Sequence, residues 1–183
     1  VDVDTASAGI QSTTTVAPGS VFTVDIVIAG VEVGSSLNGF EFDLDFAASV
    51  LSATSVLDGG FLLPVRFPVE ADVTGSDVNF AEVTLGTGGA VGGGVLARIT
   101  FQALAPGTSL LNLNDLILTS VVRPGVVVTL PIDGITNASV VVAEASPVIP
   151  EPGAALLFAV GGVTLAAAIR QRRSGRTRGR SAF

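Results

Sequence analysis

The stretch of this 183-residue chain that decides its fold alternates apolar and acidic side chains without a break, over Phe40-Glu41-Phe42-Asp43-Leu44-Asp45-Phe46. Successive side chains of a β-strand point to opposite faces, so the four apolar side chains share one face and the three carboxylates share the other. A strand with one apolar and one charged face is typical of an antiparallel sheet that is buried on one side only. This stretch therefore predicts a strand of a layered β-protein.

Further runs of strand length continue to residue 143, separated by turn signals such as Pro18-Gly19 and Pro106-Gly107. Valine, which favours strands, occupies 28 positions, and no stretch before residue 150 shows a long helical period. Many short strands without helices predict a sandwich or a barrel. Leu96 falls on the polar face of its run, so we expect a loop or a neighbouring strand to cover it. The predicted strands are residues 1–4, 21–29, 39–46, 50–56, 65–73, 78–85, 95–104, 108–113, 115–121, 126–130 and 138–143.

The composition removes most catalytic chemistry. The chain contains no Cys, His, Lys, Tyr or Trp, which excludes disulfides, thiolate and histidine metal sites, Ser-His-Asp triads and Schiff bases. The glycine-rich residues 86–94 lack the lysine and the following helix of a phosphate-binding loop, so we predict a loop between strands. The chain also contains no Met, and we expect that it is not a complete translation product.

Carboxylates are the remaining candidates for chemistry. Glu41, Asp43 and Asp45 share one strand face and are the candidates for a carboxylate hydrolase. We interpret them as a solvated acidic face and predict that the protein is not an enzyme. The same three residues, or Asp2 and Asp4, can supply oxygen ligands to Ca²⁺, although no Ca²⁺-binding loop motif is present. We expect no other cofactor or metal.

The charge of the chain is divided unevenly. Residues 1–149 contain 15 acidic residues and three arginines, whereas residues 150–183 contain one acidic residue and six arginines. Such a split indicates an acidic domain and a basic tail with separate roles. Nucleic acid is excluded as a partner of the acidic part, because phosphate contacts need a basic face.

The tail contains a second kind of segment. Residues 153–169 carry no charge and would form a helix about 26 Å long, close to the thickness of a bilayer core. A buried core helix would have no partner layer beside a β-domain, and an amphipathic surface helix would need a polar face, where only Thr164 is polar. We therefore predict a transmembrane helix. Basic flanks stay in the cytoplasm, which places the acidic domain outside it. The arginines that follow the helix are Arg170, Arg172, Arg173, Arg176, Arg178 and Arg180.

Three stretches of the acidic part resemble cohesin-type domains: residues 18–25, residues 39–46 with the following Val50-Leu51, and residues 94–101. The resemblance implies a jelly-roll-like antiparallel β-sandwich of about nine strands over residues 1–143, in a family that binds dockerin modules through one sheet face. After the central strand this chain has Phe46-Ala47 where the family usually has an aspartate-tyrosine pair. No binding residue is transferred to this sequence, because no short motif in it marks that sheet face.

The tail resembles the PEP-CTERM sorting signal, which combines Pro150, Glu151 and Pro152 with a short apolar helix and a terminal arginine cluster. The resemblance implies a linker at 144–149 and a sorting signal at 150–183, recognised in the cytoplasmic membrane by an exosortase that cuts near Pro-Glu-Pro. The alternative for these three residues is an ordinary rigid linker.

These observations together predict an exported bacterial protein that is first anchored in the cytoplasmic membrane and then sorted to the cell surface or the extracellular matrix. Its role is expected to be structural or interactive, and the tail resemblance implies a link to exopolysaccharide or biofilm. The alternative function is a protein- or carbohydrate-binding module that uses one face of the sandwich. The expected partners are an exosortase, the membrane, and an extracellular protein or polysaccharide.

Overall fold

The computed structural model describes residues 1–62, 65–85 and 88–144. In this part of the chain, ten β-strands and one short 3-10 turn, Val33–Ser35, form the regular structure within the unit Val1–Ala145. The strands are β1 (Thr13–Val16), β2 (Val21–Val31), β3 (Gly39–Asp45), β4 (Leu51–Asp58), β5 (Arg66–Val73), β6 (Asp77–Thr84), β7 (Gly92–Ala103), β8 (Gly107–Arg123), β9 (Val126–Thr129) and β10 (Ala138–Val142).

The strands form two sheets, which confirms the predicted all-β sandwich. The larger sheet has seven strands in the order β1-β10-β8-β3-β6-β5, with β9 paired to β8 beside this path, and the smaller sheet has the order β2-β7-β4. One pair departs from the predicted antiparallel arrangement, because β1 and β10 run parallel from Thr13–Ser139 to Val16–Val142. These strands come from opposite ends of the domain, so no hairpin forces them to be antiparallel.

The predicted alternation of β3 is confirmed. This strand lies between β8 and β6, and its Phe40, Phe42 and Leu44 are at most 3% exposed, whereas Glu41 is exposed. Burial of each large apolar side chain contributes roughly 1.5–3 kcal/mol. The next apolar residue, Phe46, packs edge-on against Phe101 of β7 at 5.2 Å between ring centroids. The decisive stretch thus supplies the core of one sheet and a direct contact with the other.

Leu96 is covered, as expected, but the cause is a β-bulge. Ile26 of β2 pairs with Ala97, whereas the next residue, Val27, pairs with Val95. Leu96 is therefore the extra residue of the bulge, which turns its side chain into the core, where it is 2% exposed. The one-residue shift thus brings the Leu96 side chain inward, while the residues before and after the bulge stay paired with β2.

A second bulge explains why two predicted strands are one. Residues 108–113 and 115–121 both belong to β8, and the β3–β8 register shifts between them, since Asp43 pairs with Asn114 but Glu41 pairs with Ile117. Asp115, in this shift, has a φ of 45°. Aspartate tolerates the left-handed conformation better than most residues, so the strand bends here without ending.

Two predictions about strand ends are wrong. Residues 1–4 do not form a strand, since only Asp2 pairs, in an isolated bridge with Asp25. The first strand is Thr13–Val16, which has no apolar alternation because it lies at a sheet edge. The predicted loop 86–94 ends early, because β7 begins at Gly92. A Cβ at Gly94 would lie 2.5 Å from the Phe61 ring, so this strand needs glycine for that ring to pack.

The predicted sorting segment lies outside the described residues. It includes Pro150-Glu151-Pro152, the helix 153–169 and the six terminal arginines, and nearly all of the predicted linker also lies there. Among the residues that the structure describes, none belongs to a helix long and apolar enough to span a membrane.

Candidate functional site

The outward side of four neighbouring strands, β8, β3, β6 and β5, forms a continuous surface, which we call the outer face. Its side chains alternate with the core residues and line up in rows across the strands because the registers match. The rows are Thr119, Gly39, Val83 and Phe67; Ile117, Glu41, Ala81 and Glu70; Asn114, Asp43, Asn79 and Asp72; and Asn112, Asp45 and Asp77.

One end of the outer face is apolar. Phe67 of β5 lies beside Val83 of β6 and is 46% exposed. Val65 and Leu85, which directly precede β5 and follow β6, are exposed as well. We call Val65, Phe67, Val83 and Leu85 the apolar end. Gly39 in the same row has no side chain, and the neighbouring Thr119 and Val83 side chains close over it.

The opposite end of the outer face is acidic. Its carboxylates come from β3, β5, β6 and the bulge of β8, and we call Asp43, Asp45, Asp72, Asp77 and Asp115 the acidic end. Asp45 and Asp77 lie directly opposite each other on β3 and β6. The amide of Asn114 donates a hydrogen bond of 2.6 Å to Asp45 Oδ2. From the row of Val83 to the row of Asn79 the strand rises about 13 Å, which separates the two ends.

The carboxylates of the acidic end disfavour one another's ionisation. Partial burial raises the pKa of Asp43, and the charges of Asp115 and Asp45 raise it further. Burial also raises the pKa of Asp77, with added contributions from Asp43, Asp45 and Asp72 and an opposing one from the Val78 N–H. A cationic group placed on this surface would relieve the repulsion.

The calcium candidates named from the sequence lie in two separate places in the described part of the chain. Glu41, Asp43 and Asp45 do share one face, as expected, but residues 1–62, 65–85 and 88–144 contain no group of three or more carboxylates arranged to hold a metal ion. Asp2 and Asp4 use their carboxylates locally: Asp2 Oδ1 accepts the Gln11 N–H at 3.1 Å, and Asp4 Oδ2 accepts the Ser7 hydroxyl at 2.7 Å.

Two arginines, one on β5 and one on β7 of the smaller sheet, are engaged in ion pairs. Arg66 pairs with Asp58, and Arg98 makes two hydrogen bonds of 2.8 and 2.9 Å to Asp25. The carboxylates of the acidic end therefore give that part of the outer face a negative charge.

The sequence of the chain matches a known protein family. The sequence profile of the cohesin domain matches residues 7–122. The chain belongs to the cohesin-domain family. Cohesin domains are non-catalytic protein-interaction modules. Among curated proteins, none matches the chain in sequence at a significant level.

Solved cohesin structures share the fold at low sequence identity. The seventh ScaB type I cohesin of Pseudobacteroides cellulosolvens is 20% identical, with a TM-score of 0.60 over 75% of this chain and 91% of that one. A non-cellulosomal cohesin of Archaeoglobus fulgidus is 17% identical, with a TM-score of 0.53 over 72% and 86%. The sixth cohesin of scaffoldin B from Acetivibrio cellulolyticus, solved in complex with a Cel5 dockerin mutant, is 16% identical, with a TM-score of 0.57 over 72% and 94%.

The sequence predicted strands at all four positions of the cohesin domain's outer face, but it identified candidate site residues on β3 alone. The acidic residues of β3 were recognisable from their alternation, whereas Phe67, Asp72 and Asp77 lie in runs without such a pattern. Their relation to β3 depends on which strands are neighbours, a property that no local pattern encodes. The usable signal was Pro68 in an apolar run, since proline inside a strand indicates a sheet edge.

Proposed function

We propose that this cohesin domain is a protein-docking module and that the outer face of β8, β3, β6 and β5 binds the partner. The observation that carries this proposal is the combination, on one sheet face, of an exposed apolar end and an acidic end. The first supplies the desolvated contact that gives affinity, and the second selects and steers a partner with cationic groups. The partner that fits is a folded module with an apolar anchor and basic residues about 13 Å away.

Dockerin modules are the first partners to test, because the Acetivibrio cohesin with the same fold was solved with one. The experiment measures binding of residues 1–144 to isolated dockerin modules by calorimetry, with Phe67→Glu as the face variant. Leu57→Glu is the matched control, since Leu57 is an exposed apolar residue of the smaller sheet. We expect Phe67→Glu to weaken binding at least about tenfold and the control to leave it unchanged.

Two outcomes would contradict docking through the outer face. Equal loss of affinity in Phe67→Glu and Leu57→Glu would mean that binding occurs elsewhere. Binding of polysaccharide by the same domain, with no protein partner, would favour the carbohydrate-binding alternative. Sugar recognition commonly uses aromatic stacking, and the chain has no Trp or Tyr to supply it.

The proposed setting of this module is outside the cytoplasm, in a protein sorted by a PEP-CTERM signal. The support is the order of the tail: Pro150-Glu151-Pro152, then the uncharged residues 153–169, then six arginines. In this proposal an exosortase cuts near Glu151 and the domain passes to the cell surface or matrix, with a role linked to exopolysaccharide or biofilm.

The sorting proposal is tested by expressing the chain, behind a secretion leader, with and without residues 150–183, in hosts that contain or lack an exosortase. We expect membrane association only when the tail is present, and a shortened C-terminus by mass spectrometry only when the exosortase is present. An intact tail in both hosts, or identical fractionation of the two forms, would contradict the proposal.

A further inference from the structure

A partly buried ion cluster connects the two sheets on the inner side of β6. It consists of Asp58 at the end of β4, Arg66 at the start of β5 and Glu82 near the end of β6. The Arg66 guanidinium donates a hydrogen bond from Nε to Asp58 Oδ2 and lies 3.5 Å from Glu82 Oε1. Because β4 belongs to the smaller sheet and the other two strands to the larger one, these three side chains tie the sheets together.

Glu82 is the unusual member of this cluster. It is 1% exposed, and neither of its carboxylate oxygens accepts a hydrogen bond from the described residues. On the neighbouring strand β3, Glu82 is paired with Phe40, which offers no hydrogen-bond donor from its side chain. The nearest hydroxyl on its own strand, that of Thr84, donates its hydrogen bond to the Val65 carbonyl and not to Glu82. The charged groups that act on Glu82 are Asp58 from β4 and Arg66 from β5.

The charges of the cluster do not balance when all three groups are ionised. One guanidinium faces two carboxylates, and the remaining negative charge is out of water, which is costly. Asp58 is the carboxylate whose charge is better stabilised, since both of its oxygens accept hydrogen bonds. Oδ2 accepts one from Arg66, and Oδ1 accepts the Gly60 N–H at 2.6 Å. Burial, reinforced by Asp58 and opposed by Arg66, raises the pKa of Glu82 to about 7.

We propose that Glu82 holds a proton in the folded domain and that loss of this proton weakens the tie between the two sheets. The protonated side chain can donate its O–H to Asp58, so that the cluster has one carboxylate for one guanidinium. The ionised side chain repels Asp58 and competes with it for Arg66. The proton passes to solvent, and no other reactant is needed.

The position of Arg66 links this proton to the outer face. Arg66 lies between Val65 and Phe67 in sequence, and both belong to the apolar end. Weakening the Asp58–Arg66 pair loosens the start of β5, which carries that end. This consequence for docking rests on the proposed function, whereas the protonation of Glu82 does not.

The first test compares stability across pH for the parent domain, residues 1–144, and Glu82→Gln, which keeps the shape and the donor of the protonated side chain. A group whose pKa is raised on folding destabilises the fold as pH rises from its ordinary value of 4.5 to its folded value. We therefore expect the ratio of the folding equilibrium constant of Glu82→Gln to that of the parent to rise by up to about tenfold for each pH unit over this interval. Above the interval this ratio should stay constant. Glu41→Gln, an exposed glutamate on β3, is the matched control.

The second test uses the absence of Trp and Tyr from the chain. Phe67→Trp places a single fluorophore on the residue that follows Arg66 at the start of β5, and its emission should titrate with a midpoint near neutral pH as this end of the strand loosens. The double variant Phe67→Trp with Glu82→Gln should show no such titration. The proposal is overturned if both variants titrate alike or if Glu82→Gln follows the parent's pH profile. These readouts need no docking partner, so failure of docking alone leaves them unaffected.

Discussion

Gly39 and Thr119 lie so close across β3 and β8 that residue 39 has no room for a side chain. The Thr119 hydroxyl donates a hydrogen bond of 3.1 Å to the Gly39 carbonyl, and a Cβ at residue 39 would lie 2.8 Å from Thr119 Oγ1. A Val83 methyl, at 3.1 Å from the same point, closes the other side. This contact holds together the row of the outer face that includes Phe67.

We expect Gly39→Ala to destabilise the domain by roughly 1–3 kcal/mol, because the added methyl must displace Thr119 or Val83. The measurement is chemical denaturation of residues 1–144. Gly75→Ala is the control, since a Cβ there meets no atom within 4 Å. Equal stability of the two variants would show that the sheet accommodates the methyl group and would remove the steric argument.

The paired hydrogen bonds between Asp25 and Arg98 support a second prediction. Asp25 is buried while Arg98 is largely exposed, so Arg98→Ala leaves a buried carboxylate without its partner. We expect a loss of about 1.5–3 kcal/mol in the free energy of unfolding. Arg98→Lys should recover only part of it, because lysine cannot make both hydrogen bonds in the plane of the carboxylate. Full recovery by lysine would mean that charge alone matters.

A third prediction concerns the facing carboxylates Asp45 and Asp77. Like charges directly opposite on neighbouring strands destabilise a sheet by roughly 0.2–1 kcal/mol, so Asp77→Asn should stabilise the domain at neutral pH by about this amount. Because the pKa of Asp77 is raised on folding, its ionisation opposes folding, and the gain should vanish as acid protonates it. The measurement is denaturation across pH, and a gain that persists in acid would point to a cause other than charge.

The acidic end supports a fourth prediction, which concerns the rate of docking. Raising the salt concentration from about 0.05 to about 0.5 M should lower the association rate with a basic partner about tenfold or more and change the dissociation rate little. Replacing Asp43 and Asp72 with Asn should remove most of this salt dependence. Stopped-flow measurements of both forms check it. A salt dependence unchanged in the double variant would contradict steering by the acidic end.

Much of this fold follows from local patterns in the sequence. The alternation over residues 40–46 determines one strand and its buried face, and the turn residues delimit most of the others. Thr13–Val16 could not be recognised as a strand, because it is an edge strand without an apolar face. The glycines at the start of β7 could not be recognised as strand residues, because the packing of the Phe61 ring against Gly94 is a tertiary contact.

The candidate site was less predictable than the fold. The alternation of Glu41, Asp43 and Asp45 predicts an acidic surface. The apolar end is formed by β5 and β6, and no local sequence pattern shows that these strands lie beside β3. The ion cluster of Glu82 could not be predicted for a related reason. It occupies an inward position between Phe80 and Thr84, and its partners Asp58 and Arg66 come from two other strands.

The parallel pairing of β1 with β10 determines how the domain bears mechanical load. Chain entering at Thr13 and chain leaving at Val142 attach to opposite ends of this short ladder. Tension applied between those ends slides the two strands lengthwise past each other, so the ladder's hydrogen bonds resist together and do not open one by one. A pull between Thr13 and Val142 therefore loads this ladder in shear.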